Sequence, residues 1–501
     1  MGILWARPKP IKNIVIVGGS YGGIFLHFPG KETVPIDENL GLRAARLLAD
    51  QLEDHPEYRI IVIDRNSHMN HLYVFPRFSI LPGHEFKASV VPYNRIFTQS
   101  QSRHLIIQAN LLSMTSNSVT VSPTIPSKSS FTGEIPKDFE TEKGSTLMIP
   151  FEYAIYALGA SLPDPINVWK SLDHLEEPDA YQLHLKVRGF TTTITDRHDT
   201  EVPLKEPSST LSQVNDDVDQ DGSKPCSIAW LQAAQRRAAK VNSVIIVGGG
   251  ALGIQIATDT AEVYPDKKIT LIHSRDQLMP IYDKRVHEEA LQSLRHLNVD
   301  VILNERIDME TVRNPKQDEK GRRVIRTTSG RTFSADAILL CTGSRANSRI
   351  ISKGLGRDVV NPTNGCVRVL RTLQVTNNPV DTSVPNEDGN SLIPASESPF
   401  PNIFAIGDVA DAYGAIKAGH TAYYQGEVAA NNITSLVKNG TSAHLQQYQH
   451  GLPAIKVTLG IKHYVYQDGQ KVVVGDDGVE DLHVALIWNM LGFTGDFDMH
   501  Q

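Results

Sequence analysis

The sequence predicts an α/β fold, because two runs of aliphatic residues each lead into a glycine-rich turn. Residues 14–17 (IVIV) precede GGSYGG at 18–23, and residues 244–247 (VIIV) precede GGGALG at 248–253. A buried strand, a glycine turn and a helix together form the unit with which doubly wound sheets bind a dinucleotide pyrophosphate. Two such units predict two Rossmann-like dinucleotide-binding domains, the first split by insertion of the second, and a C-terminal α+β segment.

The elements after the first turn continue this pattern. Residues 42–54 predict an amphipathic helix, because Leu47, Leu48 and Leu52 recur on one side of it. The aliphatic run 59–64 predicts a second strand that ends in an acid. Further strands are predicted at 104–107 and 151–158, whereas the composition of residues 122–143 and 170–225 is polar and predicts surface excursions.

The second unit repeats the same alternation of helices and strands. We predict helices at 228–240, 254–263 and 284–297, a strand at 268–272, and short strands up to Leu340. From Phe404 the chain resembles its opening domain again, and residues 440–501 contain short strand-like runs without a chemical motif.

Composition and charge exclude several classes of protein. A hydrophobic content of 40% and a charged content of 21% suit a globular protein, and a net charge of -7 provides no electrostatic footprint for nucleic acid. No apolar run approaches the ~18 residues that a membrane-spanning helix needs, and no secretory signal is predicted. Three cysteines without CxxC spacing fit a reducing compartment, so the expected location is the cytoplasm, with peripheral membrane contact left open. No metal site is predicted.

Polar residues at strand ends mark the two cofactor positions. Asp64 closes the second strand, where an acid would accept hydrogen bonds from ribose hydroxyls. Asp408 follows a strand and a glycine in FAIGD, while YALG ending at Gly159 and LCTG ending at Gly343 predict crossings between domains. Each motif is weak alone, but their order along the chain is typical of proteins that hold two dinucleotides side by side.

The second glycine turn carries the full G-x-G-x-x-G pattern, whose glycines are Gly248, Gly250 and Gly253. The strand that follows ends in His273, Ser274 and Arg275 instead of an acid. An acid there would favour NADH, whereas a hydroxyl and a guanidinium accommodate a 2′-phosphate. We therefore expect NADPH to be accepted beside NADH, the alternative being that Arg275 is a solvated strand-end residue.

This arrangement resembles the apoptosis-inducing-factor-like branch of the pyridine nucleotide-disulphide oxidoreductase superfamily, especially the ferroptosis-suppressor type of NAD(P)H:quinone oxidoreductase and its fungal relatives. The segment GGGALGIQIATDTAEVYPDKKITLIHSR carries the resemblance most clearly. The resemblance implies FAD, contacted by Arg77, by the backbone of Ile106 and by Asp408 at its ribityl chain, with Lys417 near the flavin ring. It also implies that the FAD pyrophosphate is held by the first turn, which consists of Gly18, Gly19, Ser20, Tyr21, Gly22 and Gly23.

Two residues depart from the family pattern. Ser20 replaces the middle glycine of the first turn, a change that a small side chain tolerates. Gln255 stands where several relatives carry a glutamate near the nicotinamide, so the role of that carboxylate is not transferred. The expected organisation is an FAD-binding domain in two parts at 11–170 and 346–438, a polar insertion at 171–225, an NAD(P)H-binding domain at 226–345 and a C-terminal interface segment at 439–501.

The function implied is hydride transfer from NAD(P)H to FAD, followed by electron transfer to a small-molecule acceptor. A redox-active disulfide is not expected, because Cys341 and Cys366 lie 25 residues apart. This leaves a quinone, oxygen, a secondary metabolite or another electron-transfer protein as acceptor, and leaves the oligomeric state open. The alternatives are a flavin-binding scaffold or signalling protein with little turnover, and a tailoring oxidoreductase of secondary metabolism.

Residues 24–41 interrupt the first unit between its glycine turn and its helix. Removing these 18 residues joins GGSYGG directly to LRAARLLADQ and shortens the separation of Gly23 and Asp64 from 41 residues to 23, near the expected ~20. We hypothesise that the segment is a retained intron or gene-model error, which would impair FAD binding. The alternative is a genuine loop, and sequencing the transcript distinguishes the two.

Overall fold

The structure is a computed structural model that describes residues 10–19, 41–88, 91–123, 136, 139–141, 146–161, 163–167, 222–379, 392–394, 398–490 and 493. Several predictions lie outside the described residues, namely those on Ser20, Tyr21, Gly22, Gly23, residues 24–40 and residues 171–221.

The described chain alternates strands and helices, as the glycine-turn pattern predicts. Its strands are β1 (Lys12–Val17), β2 (Tyr58–Asp64), β3 (His68–Met69), β4 (Val91–Pro92), β5 (Leu105–Met114), β6 (Ser118–Pro123), β7 (Glu140–Thr141), β8 (Leu147–Pro150), β9 (Tyr153–Tyr156), β10 (Ser243–Val247), β11 (Lys268–Ile272), β12 (Asp300–Ile302), β13 (Lys316–Gln317), β14 (Arg323–Arg326), β15 (Thr332–Ala335), β16 (Ala337–Leu340), β17 (Val367–Arg368), β18 (Leu392–Pro394), β19 (Ile403–Ala405), β20 (Ala410–Asp411), β21 (His444–Gln446), β22 (Ala454–Thr458), β23 (Tyr464–Asp468) and β24 (Lys471–Gly475). Its α-helices are α1 (Gly41–Gln51), α2 (Phe75–Phe78), α3 (Glu85–Ala88), α4 (Lys224–Lys240), α5 (Ala251–Val263), α6 (Lys284–His296), α7 (Met309–Arg313), α8 (Arg349–Leu355), α9 (Gly419–Asn439) and α10 (Ala485–Met490).

The first sheet has eight strands in the order β19-β9-β1-β2-β5-β6-β8-β7. The strands from β19 to β5 pair in parallel, and those from β5 to β7 pair in antiparallel fashion. All seven residues of β2 are buried, which explains its nearly continuous apolar run, since a parallel strand between covered faces needs no polar side. Strand β19 comes from the region after Phe404, so the late part of the chain completes the sheet that the early part begins.

The second sheet consists of four parallel strands in the order β12-β11-β10-β16. Helix α5 follows the glycine turn directly and begins at Ala251, three residues before the predicted start at Ile254. Within its first turn only glycine fits at residue 253, because a Cβ atom there would lie 2.0 Å from the carbonyl oxygen of Gly248. The two sheets and their covering helices confirm the predicted α/β class with two Rossmann-like units.

Two chain crossings connect the sheets and lie side by side. Ala160 and Ala346 form an antiparallel bridge, and the amide of Asn347 donates to the carbonyl of Gly159 at 3.0 Å. The hydroxyl of Tyr156 also donates to the carbonyl of Asn347 at 2.6 Å. The crossings that end in Gly159 and Gly343 are therefore one structural unit at the junction of the two sheets.

The C-terminal part contains an antiparallel sheet of β22, β23 and β24. Val457, Leu459 and Val465 on one face of it join the buried apolar core of the second sheet. Trp488 in α10 is buried in the core of the first sheet instead. The C-terminal residues thus contact both parts of the molecule. Within the described ranges no helix is long and apolar enough to cross a membrane.

Candidate dinucleotide-binding sites

The first glycine turn is held so that only glycine fits its first position. Gly18 has a φ of +99°, and a Cβ atom there would lie 2.3 Å from the carbonyl oxygen of Ala157. Its amide donates to the carbonyl of Ile63 at 2.8 Å, while the amide of Ala157 donates to Val17 at 2.8 Å. These contacts fold the chain sharply over the end of β1, with the crossing at residue 157 beneath it.

The second turn repeats this geometry with different residues. Gly248 has a φ of +122°, and a Cβ atom there would lie 2.4 Å from the carbonyl oxygen of Cys341. Its amide donates to Ile272 at 2.9 Å, as Gly18 donates to Ile63. By contrast, a Cβ atom on Gly250 would meet no described atom within 4 Å. Gly250 therefore faces open space at the start of α5, where a pyrophosphate would approach the backbone.

The last residue of β2 and the residue directly after β11 each accept a hydrogen bond from the second glycine of the neighbouring turn. In the first unit the amide of Gly19 donates to Oδ2 of Asp64 at 2.7 Å. In the second unit the amide of Gly249 donates to Nδ1 of His273 at 3.0 Å. A carboxyl group and an imidazole thus serve the same backbone position.

The surroundings of Asp64 leave polar capacity for a ligand. Its Oδ1 atom accepts from the amide and the side chain of Asn66 at 2.7 Å and 3.0 Å. Burial raises the pKa of Asp64, while the hydrogen bonds from Asn66 and Gly19 oppose that rise. The Oδ1 atom of Asn66 is buried and has no hydrogen-bond partner within the described residues. A buried acceptor without a donor is costly, and a ribose hydroxyl would satisfy it, so this end of β2 fits the adenosine half of FAD.

His273 is engaged by the protein on both ring nitrogens. Its Nδ1 atom accepts from Gly249, so its Nε2 atom is assigned as the donor to the carbonyl of Gln277 at 3.1 Å. Burial lowers the pKa of His273, which agrees with a neutral ring. Ser274 is half-buried and Arg275 is exposed. Of the three predicted residues, Ser274 and Arg275 therefore remain available for a 2′-phosphate, while His273 shapes the turn.

Asp408, Lys417 and Cys366 lie close together at the second part of the first domain. Burial raises the pKa of Asp408, and the nearby Lys417 ammonium opposes the rise. Among the described residues no hydrogen bond to the Asp408 carboxylate occurs, and its predicted contact with the ribityl chain stays a prediction. Burial also raises the pKa of the Cys366 thiol, again opposed by Lys417. Sequence reasoning did not place Cys366 here, because nothing local links it to residues more than 40 positions later.

The predicted contact between Arg77 and the cofactor stays a prediction, and the guanidinium itself is bonded within the protein. The side chain is 1% exposed and forms a bidentate ion pair with Asp259. Its remaining donors bond the carbonyls of Gly460, Ile461 and Val479. A guanidinium has five N–H donors, and all five are used within the protein.

The remaining predicted residues occupy positions along the strands and crossings. Ile106 lies buried in β5 opposite Val62. Gly159 and Gly343 have φ angles of +61° and +38° at the paired crossings. The side chain of Gln255 donates to the hydroxyl of Thr458 at 3.2 Å, so the residue that replaces the glutamate of several relatives contacts the C-terminal sheet. Their roles toward a cofactor remain predictions.

Comparison with known proteins identifies relatives of the chain. The sequence profile described as pyridine nucleotide-disulphide oxidoreductase matches residues 41–426. The match begins at Gly41, which is the first residue of α1 and the last of the interrupting segment. The chain is 33% identical over 492 residues to Fe-regulated protein 8 of Mycosarcoma maydis, covering 97% of this chain and 96% of the relative. It is 28% identical over 261 residues to ferroptosis suppressor protein 1 of Taeniopygia guttata, covering 51% of this chain and 62% of the relative.

Solved structures show the same fold at low sequence identity. NDH2 from Plasmodium falciparum in complex with NADH superposes with a TM-score of 0.52 at 12% identity, covering 93% of this chain and 91% of that one. Reduced CoADR-RHD of Bacillus anthracis superposes with a TM-score of 0.53 at 16% identity, covering 91% of this chain and 61% of that one. At such identities the likeness concerns the fold alone.

Proposed function

The chain belongs to the pyridine nucleotide-disulphide oxidoreductase family, and from this membership we propose that it transfers hydride from NAD(P)H to FAD and passes the electrons to a quinone or similar acceptor. The observation that carries the proposal is the duplicated glycine turn, built in both units from a glycine at positive φ, a strand-end acceptor and an underlying crossing. The unit at 11–170 with 346–438 would hold FAD, and the unit at 226–345 would hold NAD(P)H.

The cysteines favour electron transfer without a redox-active disulfide. None of the three forms a disulfide in the described part of the chain, and Cys341 and Cys366 are buried. Cys341 lies under the second glycine turn, in contact range of Gly253, whereas Cys366 lies beside Asp408. A dithiol mechanism needs two thiols close enough to bond, whereas Cys341 and Cys366 lie at these two different places. The balanced reaction with a quinone is NAD(P)H + H⁺ + quinone → NAD(P)⁺ + hydroquinone.

Residues of this chain would position and stabilise the bound cofactors. FAD, when bound, supplies the two-electron chemistry that protein side chains lack. Asp408 would accept hydrogen bonds from the ribityl hydroxyls, since its carboxylate has no hydrogen bond within the described part of the chain. Lys417 lies two residues before the 21-residue helix α9. Its ammonium and the positive end of that helix would together offset negative charge that develops nearby.

The second unit suits either nicotinamide nucleotide. Neutral His273 occupies the position that an acid would otherwise take, so no carboxylate there repels a 2′-phosphate. Exposed Arg275 and half-buried Ser274 follow directly. We propose that both NADPH and NADH are accepted and that Arg275 provides the contact that distinguishes them.

An acceptor screen on the purified protein tests this function. The parent protein should retain yellow flavin through gel filtration and oxidise NAD(P)H steadily with a quinone, with ferricyanide or with oxygen. Asp408→Ala should lose the flavin and all activity, whereas Asp408→Asn, which keeps a side-chain oxygen acceptor, should retain part of both. A parent protein that holds flavin but turns over no acceptor would favour the scaffold alternative and contradict the proposal.

A further inference from the structure

An ion pair buried on both sides joins the two dinucleotide-binding units. Arg77 lies in α2 of the first unit and Asp259 lies in α5 of the second, and each side chain is about 1% exposed. Nη2 of Arg77 lies 3.0 Å from Oδ1 of Asp259, and Nε lies 3.3 Å from Oδ2. This fork-to-carboxylate geometry fixes the direction as well as the distance between the two helices.

The same guanidinium also holds the C-terminal part of the chain. Nη1 donates to the carbonyls of Ile461 and Val479, both at 3.2 Å, and Nη2 donates to the carbonyl of Gly460. Gly460 and Ile461 lie in the turn between β22 and β23, and Val479 follows β24. One side chain therefore contacts three parts of the molecule that are distant in sequence.

Helix α5 also contacts the 460–461 turn, through Glu262. Oε2 of Glu262 accepts from the amide of Ile461 at 2.8 Å. Gly460 has a φ of +106°, and a Cβ atom there would lie 2.1 Å from the same Oε2 atom. Arg77 thus donates to the carbonyls of this turn, while Glu262 accepts from one of its amides. These contacts form a triangle in which α2, α5 and the C-terminal sheet are each bonded to the other two.

Helix α5 connects this triangle to the nucleotide site. It begins at Ala251, directly after Gly250 of the second turn. Asp259 lies eight residues further on, about 12 Å along the axis at 1.5 Å per residue. Since a helix of this length moves as a rigid body, a change in the orientation of α5 at Asp259 also moves the glycine turn that would hold the nicotinamide dinucleotide.

A contribution to stability alone does not explain such a pair. Removing two charges from water is costly, and well-packed apolar side chains are often equally stable or more stable in their place. What apolar side chains do not reproduce is the fixed orientation of a bidentate pair with three further hydrogen bonds.

We propose that Arg77 is a positioning residue, which through Asp259 and the 460–461 turn sets the orientation of α5 and hence the alignment of the nicotinamide with the flavin. The inference rests on the proposed function, since it concerns the geometry of the same hydride transfer. In this proposal Arg77 acts through α5, because its five N–H donors are used within the protein.

Three variants separate positioning from folding. Arg77→Lys keeps the charge but loses the fork, and Arg77→Met combined with Asp259→Leu replaces the pair by apolar side chains. Arg59→Lys is the matched control, because Arg59 is also buried but bonds Asn13 within the first sheet. We measure FAD content, thermal midpoint, hydrogen exchange of α5 and of residues 458–462, and the anaerobic rate constant and dissociation constant for flavin reduction by NADPH.

The expected result is a split between binding and reduction. Arg77→Lys should slow flavin reduction at saturating NADPH at least tenfold, change the NADPH dissociation constant less than threefold, and speed hydrogen exchange in α5. Arg59→Lys should change none of these more than threefold. The double variant should recover the parent's thermal midpoint while its flavin reduction stays slow.

Several results would overturn the proposal. One is a double variant that keeps the parent's thermal midpoint and whose flavin is reduced at a rate within threefold of the parent's. If the double variant does not fold, equal rates of flavin reduction in Arg77→Lys and Arg59→Lys would overturn the proposal instead. If neither nucleotide reduces the parent's flavin, the proposed function fails. The positioning role has its own test, because unchanged hydrogen exchange of α5 in Arg77→Lys would contradict it whatever the parent's activity.

Discussion

At the scale of single residues, Asp64 and His273 serve one backbone position with opposite electrostatic consequences. Each accepts the amide of the second glycine in its turn. A carboxylate at this point disfavours a phosphate on the neighbouring ribose, whereas an imidazole whose pKa is lowered by burial carries no such charge. The difference suits FAD, which has no 2′-phosphate, in the first unit, and NADPH as well as NADH in the second.

Arg275→Ala tests this difference. If the exposed guanidinium contacts a 2′-phosphate, its loss should raise the KM for NADPH roughly tenfold to a hundredfold, because such charge-assisted contacts contribute about 1.5–3 kcal/mol. The KM for NADH should stay nearly constant. Steady-state kinetics with both nucleotides provide the measurement, with Arg285→Ala as a control on an arginine already paired with Asp283. Equal changes for both nucleotides would show that Arg275 does not discriminate.

At the scale of elements, sequence patterns predicted individual strands and helices but missed the contacts between elements that are distant in sequence. Strand β2 and helix α5 follow from an apolar run and a glycine motif. The Arg77–Asp259 pair does not, because it joins residues 182 positions apart. A signal was nevertheless present, since Asp259 is a lone acid in the apolar run ALGIQIATDTA, and a buried charge needs a partner.

The C-terminal strands show the same limit. Alternating apolar residues in β22 and β23 predict strands, and Val457 and Val465 do lie on a buried face. Their contact with the second sheet could not be predicted, because an amphipathic strand reveals that it has an apolar side but not which surface covers it.

The segment at 24–41 is an element-scale prediction of its own. Its deletion should strengthen FAD binding, because the first glycine turn would then lead directly into α1, as the second leads into α5. The measurement is flavin content per protein after gel filtration, compared between the full chain and the shortened form. Equal or greater retention by the full chain would refute this idea and favour a genuine loop.

At the scale of the whole molecule, buried histidines predict sensitivity to acid. Burial lowers the pKa of His71 to about 3 and that of His104 to about 4. The Nδ1 atom of His104 accepts the amide of Ile60 at 3.0 Å, a bond that protonation would break. Below pH 6.5 the unfolded chain binds protons that the folded chain does not, so the folded state loses stability as the pH falls.

The size of this effect can be measured on His104. At pH 4 its lowered pKa corresponds to a loss on the order of 3 kcal/mol, at about 1.4 kcal/mol per pKa unit. His104→Gln keeps an acceptor but does not titrate, so its free energy of unfolding should fall by that much less between pH 7 and pH 4. Urea denaturation at several pH values measures the difference. Parallel curves for parent and variant would contradict the assignment.

The central claim concerns electron flow through two cofactors without a dithiol, and an anaerobic titration tests it most directly. Holoprotein in which Cys226, Cys341 and Cys366 are replaced by Ser or Ala is titrated with NADPH while the flavin absorbance is followed, and a quinone is then added. We expect full bleaching at one equivalent of NADPH and full reoxidation by the quinone, as for the parent. Two equivalents in the parent but one in the variant, or a reduced variant that the quinone cannot reoxidise, would show that a thiol carries the electrons.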